Sequence, residues 1–133
     1  MLDVCGDDLR GTRNRMILLL AYTTLRRRSE LTSLRVEDLT LCGDGQSLIL
    51  LRQSKTDQTR EGVLLVLDIE TTSAARGWID SAGIDDGYLL RGITGKQLNQ
   101  SMDPEQISRI FKSLAVKAKL NPKQICFVLK CIF

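Results

Sequence analysis

The sequence predicts an α+β domain, mainly α-helical, with a small three-stranded antiparallel sheet. Three observations carry this. The block Met16–Leu20 is apolar on every side and follows two aspartates able to cap a helix. A late segment, opened by Asp103-Pro104, places Ile107, Ile110, Phe111, Leu114, Ala115 and Ala118 at helical spacing. Between them lie three short segments that read as strands, two of them apolar runs, separated by turn-forming and polar residues.

The first helix begins near Leu9, capped by Asp7 or Asp8, and an all-round apolar segment of this kind belongs at the centre of the fold. Thr23 and Thr24 weaken its far end. A second, short helix is expected over Ser29 to Leu34, with Glu30 near its positive end and Leu31 and Leu34 on one face. The three strands are expected at Asp38–Thr40, Leu48–Leu51 and Val63–Leu67. Cys42–Gly45 makes the first turn, and a long polar connection from Arg52 to Gly62 carries Lys55. A helix over Glu70 to Ser81 brings Trp78 into the core as an anchor. Gly83 and Gly87 break the chain before the short apolar connection Tyr88–Leu90. The late helix packs its apolar face, offers Arg109, Lys112 and Lys119 on the other, and ends at Asn121-Pro122. The segment Ile125–Phe133 holds eight apolar residues in nine and is either a buried strand or a sticky end.

At 133 residues the chain is one domain, able to bury about two-thirds of the surface its unfolded form exposes. Its longest apolar run, Met16–Tyr22, is far shorter than a membrane span, no signal-like segment opens the sequence, and the expected location is cytoplasmic. Cys5, Cys42, Cys126 and Cys131 form no C-x-x-C pair and read as free thiols. The absence of histidine rules out Ser-His and Cys-His nucleophiles and histidine metal sites.

Charge is informative through its distribution. The net charge is only +3, but Leu9–Glu30 contains six arginines before its first acid, and Gln106–Phe133 contains six basic residues and no acid. Two such blocks can form one basic face, the electrostatic footprint of a DNA-binding surface; solvated helix faces give the same counts. Within the first block Arg26, Arg27 and Arg28 stand together at the junction of two packed segments, where guanidinium forks suit a phosphate or carboxylate; residue types alone favour a solvated basic corner, and only the surrounding pattern points to an anion site.

The run Arg-Asn-Arg-Met-Ile-Leu-Leu-Leu-Ala-Tyr-Thr-Thr-Leu-Arg-Arg-Arg-Ser-Glu-Leu within Asp8–Leu39, together with Gln53-Ser-Lys-Thr-Asp-Gln58 and Ile107-Ser-Arg-Ile-Phe-Lys112, resembles the catalytic domain of tyrosine recombinases, the phage integrase family. The resemblance covers nearly everything from about residue 7 to residue 125. It implies that family's fold, double-stranded DNA as partner, and strand breakage and rejoining through a 3′-phosphotyrosyl link, without metal or cofactor. It selects Arg27 as the first catalytic arginine, with Glu30 as its supporting carboxylate, and Lys55 as the hairpin lysine acting as general acid. Arg26, Arg28, Arg109, Lys112 and Lys119 become DNA-backbone residues.

After Ile125 the sequence departs from the family. The expected His-x-x-Arg segment is replaced by Cys-Phe-Val-Leu-Lys-Cys-Ile-Phe, and neither Tyr22 nor Tyr88 occupies the nucleophile's place. The family's N-terminal DNA-clamping domain has no counterpart. Residues 1–125 therefore read as a partial catalytic domain and 126–133 as a divergent tail, as if the reading frame were lost there. Losing one preorganised donor costs about 2.7–4 kcal/mol of transition-state stabilisation, so the expectation is no cleavage by this chain alone. Two other readings stand beside it: a non-catalytic DNA-binding or regulatory module, and a functionless remnant forming a homo-oligomer through its tail.

Overall fold

A computed structural model describes residues 2–52 and 62–119 of the chain. Helix α1 spans Leu9–Thr24, and Asp8 caps it by accepting the Gly11 N–H at 2.8 Å. Met16, Ile17 and Leu20 are fully buried, as a segment apolar on all sides requires. Gly11 cannot carry a side chain, because a Cβ there would lie 2.2 Å from the Cys5 carbonyl oxygen. The helix closes on Leu25, which adopts a left-handed conformation (φ 53) and donates its N–H to Ala21.

Helix α2 spans Arg28–Thr32, one residue earlier and two residues shorter at its end than expected. The Ser33 N–H turns back to Glu30 and stops it, while Leu31 and Leu34 reach the core. Val36–Asp38 form a single 3₁₀ turn, which delays the first strand by one residue. Strands β1 (Leu39–Leu41), β2 (Ser47–Leu51) and β3 (Val63–Leu67) build an antiparallel sheet in that order. Thr40 stands opposite Leu48, Leu48 opposite Val66, and Leu50 opposite Leu64. Ile49, Leu51, Leu65 and Leu67 face inward and are buried, so the period of two is obeyed.

Helix α3 spans Ile69–Ala82, capped by Asp68, and packs on α1 and β3. Trp78 is fully buried, as expected, and its indole N–H donates to the Leu89 carbonyl at 2.7 Å, which ties the core to the 89–90 connection. A second, two-stranded ladder of β4 (Ile93–Thr94) and β5 (Gln97–Leu98) follows. Two-residue strands leave no periodicity to read, and the sequence reading missed this hairpin. Helix α4 spans Pro104–Lys117, with Asp103 and Gln106 completing a capping box. Ile107, Phe111, Leu114 and Ala115 are buried. It stops before the expected Asn121-Pro122: Ala118 and Lys119 donate back to Leu114 and Val116, and Lys119 sits at φ 60. Lys119 therefore lies beyond the helix rather than on its polar face. Asn121, Pro122 and the segment from 125 onward fall outside the described residues, as does Lys55.

Two measurements check this packing. Trp78→Phe leaves the Leu89 carbonyl unpaired in the core and is expected to cost about 1–3 kcal/mol in urea unfolding, against about 3–5 kcal/mol for Trp78→Ala. The Asp68 carboxyl is held below its ordinary range by hydrogen bonds from the Thr71 side chain and backbone N–H. A group depressed in the folded state stabilises above its unfolded pKa, near 4, and that contribution fades as pH falls through the folded value. Asp68→Asn should therefore lower stability at pH 7 while narrowing the gap to wild type as pH approaches about 3; parallel pH–stability curves would contradict it.

Candidate functional site

The arginine cluster straddles the junction between α1 and α2. After Leu25 the backbone enters a turn, so Arg26 and Arg27 precede the helix and only Arg28 belongs to it. Arg27 is the residue before the first helical turn, in extended conformation (φ −65, ψ 154), with its side chain exposed. Among the described residues its guanidinium makes no hydrogen bond or ion pair.

Glu30 is 8% exposed and sits at the third helical position. One carboxylate oxygen accepts the Arg27 backbone N–H at 3.3 Å. The other lies 3.9 Å from the Arg26 guanidinium and accepts no hydrogen bond among the described residues. Glu30 thus fixes the main chain of Arg27 and offers its remaining charge to Arg26.

Arg28 turns to α4: its guanidinium donates to the Ser108 hydroxyl and lies 3.5 Å from the Glu105 carboxylate. This joins two stretches 80 residues apart. Glu105, Arg109 and Lys112 stand at i, i+4 and i+7 along α4, hence on one face, and all three are exposed. The structure therefore joins Arg28 to α4, the helix that carries Arg109 and Lys112, while Lys119 lies past its end.

The rest of the first basic block goes elsewhere. Arg10 donates to the Ile93 and Gly95 carbonyls of the β4–β5 hairpin, Arg13 to the Arg91 carbonyl at 3.5 Å, and Arg15 to the Leu2 carbonyl. Arg13 is buried, and that burial, with Arg10 nearby, pushes its guanidinium pKa down. These arginines bind main chain. Among the described contacts of the first block, Arg28 is the arginine that reaches α4.

The described ends of the connection that carries Lys55 are held. Arg52 grips Asp38 with two hydrogen bonds of 2.7 and 2.9 Å and lies 3.9 Å from Glu37. Gly62, at φ +83, approaches Leu51 so closely that a Cβ would lie 2.7 Å from its carbonyl oxygen. Sequence reading also missed Arg35, whose guanidinium stacks 4.6 Å above the Tyr88 ring and pairs with Glu37 at 3.5 Å. Glu37 in turn accepts the Gly87 N–H at 2.8 Å. Hydrogen bonds from its own N–H and that of Gly87 hold its carboxyl below the ordinary range. The only signal available was the alternation of charge in Arg35-Val-Glu-Asp38. No helix among the described residues is long and apolar enough to cross a membrane, and none of their acidic or thiol groups cluster as metal ligands.

The phage integrase family matches residues 1–127 of the chain. The integrase/recombinase XerD homolog of Selenomonas ruminantium is 29% identical over 123 residues, covering 86% of this chain and 36% of the relative. The Cre recombinase of Escherichia phage P1 is 32% identical over 116 residues, covering 81% and 34%. The chain thus spans about a third of these relatives' length. Among solved structures, XerA recombinase superposes with a TM-score of 0.63 at 22% identity, over 83% of this chain and 36% of its own. XerH, in a pre-cleavage complex with its difH substrate, superposes with a TM-score of 0.66 at 17% identity, over 90% and 34%. The fold is that of the tyrosine recombinases.

Glu30→Ala is expected to cost about 1 kcal/mol by removing the acceptor of the Arg27 N–H at the head of α2, and Glu30→Gln, which keeps an oxygen there, less than half of that. Equal losses in chemical denaturation would show that the carboxylate acts through charge instead.

Proposed function

We propose that this chain, which belongs to the phage integrase family, supplies the DNA-docking surface and two of the phosphate-facing groups of a site-specific tyrosine recombinase. The observation that carries the reading is the Arg27 guanidinium, exposed and without a partner among the described residues at the head of a helix whose first residue, Arg28, is bonded to the basic helix α4. Arg27 would meet the non-bridging oxygens of the scissile phosphate, with charge already in place and no reorganisation at the moment of reaction. Lys55 would protonate the departing 5′ oxygen while a tyrosine oxygen forms the 3′-phosphotyrosyl bond. Arg26, Arg28, Arg109, Lys112 and Lys119 would neutralise neighbouring phosphates.

The cleavage step needs more than these residues. The chain has no histidine, Tyr88 lies under the Arg35 guanidinium, and Tyr22 projects from α1 into solvent. Neither tyrosine corresponds in sequence to the C-terminal tyrosine that serves the family as nucleophile. By itself the chain is expected to hold DNA without cutting it. The same absence of histidine favours the second reading, a DNA-binding or regulatory module of recombinase ancestry.

Fluorescence anisotropy with duplex DNA over a salt series tests the docking surface. Lys112→Ala with Lys119→Ala should weaken binding at every sequence and flatten the log–log salt slope by about 2. Glu105→Gln, which removes a negative charge from the same face, should tighten binding, most at low salt. No binding of the unmodified chain at low salt would overturn the reading. A nicked substrate that traps covalent intermediates should yield no protein–DNA adduct; an adduct would refute the inactivity of the isolated chain.

A further inference from the structure

The head of α2 carries three arginines and has little to hold it. At five residues the helix is too short to stand without tertiary support. Its apolar support lies toward the other end, where Leu31 and Leu34 are buried. At the head, Leu25 is 58% exposed, Arg27 and Ser29 face solvent, and Arg26 pairs with Glu30 of the same helix. Among the described residues 25–29, Arg28 is the one whose side chain bonds to an element beyond α1 and α2.

That tie differs from an ordinary surface ion pair. One guanidinium nitrogen, Nη1, donates to the Ser108 hydroxyl and lies 3.5 Å from the Glu105 carboxylate. Glu105 is 64% exposed, so its attraction is screened by salt and contributes little rigidity. Ser108 is buried on α4, where a hydroxyl without a partner is costly and one bonded to a cation is firmly held. The salt-resistant part of the tie is therefore a neutral oxygen, enclosed and engaged with Arg28, that is not itself placed to meet a phosphate.

We propose that Arg28 is a positioning residue: through Ser108 it registers the head of α2, and with it the adjacent Arg27, against α4, so that Arg27 and the α4 cations Arg109 and Lys112 meet one duplex together. This role rests on the DNA-docking reading above and goes beyond it, since it gives Arg28 a task other than supplying charge. Cationic groups on one rigid unit bind as a linked set, each later contact forming at high effective concentration. With the joint loosened, each phosphate contact carries its own ordering cost. Glu30 does not make this link, because it fixes the Arg27 main chain only within α2.

Duplex binding of the full chain, read by fluorescence anisotropy, tests it with Ser108→Ala, a change that removes no charge. The expected result is a loss of roughly 3- to 10-fold in affinity at an unchanged salt slope. That loss should largely vanish in an Arg27→Ala background, where the group to be linked is gone. Ser108→Thr and Ser108→Val add the same bulk and differ by the hydroxyl, so the threonine variant should bind more tightly than the valine variant by a similar factor. In the free chain, amide exchange at residues 27–31 should quicken in Ser108→Ala while Trp78 fluorescence stays unchanged. Should Ser108→Ala fail to fold, the threonine and valine variants decide. A silent Ser108→Ala, an equal loss with and without Arg27, unchanged amide exchange, or threonine and valine variants that bind alike would each overturn the proposal while leaving duplex binding intact. No duplex binding by the unmodified chain would instead overturn the docking reading, and this role with it.

Discussion

The stretch Met16–Ala21 has no polar side, and the architecture follows from the need to enclose it. Only a helix with partners all round can bury such a segment, and α1 obtains them from α3, from the inner face of the sheet and from α4. Trp78 completes the enclosure from α3 and, through its bond to the Leu89 carbonyl, fastens the connection that leads to α4. The elements that carry the arginines and lysines are thus positioned by contacts with a helix whose Met16–Ala21 stretch carries no charge. Core and site are separable in chemistry, though not in space.

What the sequence made legible follows the strength of its periodic signals. α1 and α4 announce themselves through an all-round apolar block and a long helical stripe, and β3 through an uninterrupted apolar run between a polar stretch and an acid. The boundaries around α2 and β1 were off by one or two residues, because Val36–Asp38 turn as a 3₁₀ element and Asp38 is taken by Arg52. The β4–β5 hairpin was not legible, since its strands are too short to display a period.

The site was legible to a different degree. The proposal that Arg27 faces an anion rests on family spacing, and a guanidinium with no partner among the described residues is compatible with that role. The link from Arg28 to Ser108 and Glu105 could not be read, because it spans 80 residues and pairs an arginine with an ordinary hydroxyl. Nor could the diversion of Arg10, Arg13 and Arg15 to backbone carbonyls. A count of charges along a chain does not distinguish a guanidinium that faces solvent from one that props up a loop. Here Arg10, Arg13 and Arg15 bind backbone carbonyls, Arg28 ties α2 to α4, and Arg26 faces Glu30.

Leu25 carries one more consequence. A β-carbon in the left-handed region costs roughly 1–2 kcal/mol, and this leucine, 58% exposed, recovers little of that through packing. The backbone reversal it makes is what sends Arg26 and Arg27 out of the helical path of α1. Glycine would make the same turn without the penalty, but with more conformations open to it and a less definite exit direction. The leucine behaves as a stiff joint: some global stability is given up at a single residue, and the direction of the two arginines that follow becomes better defined.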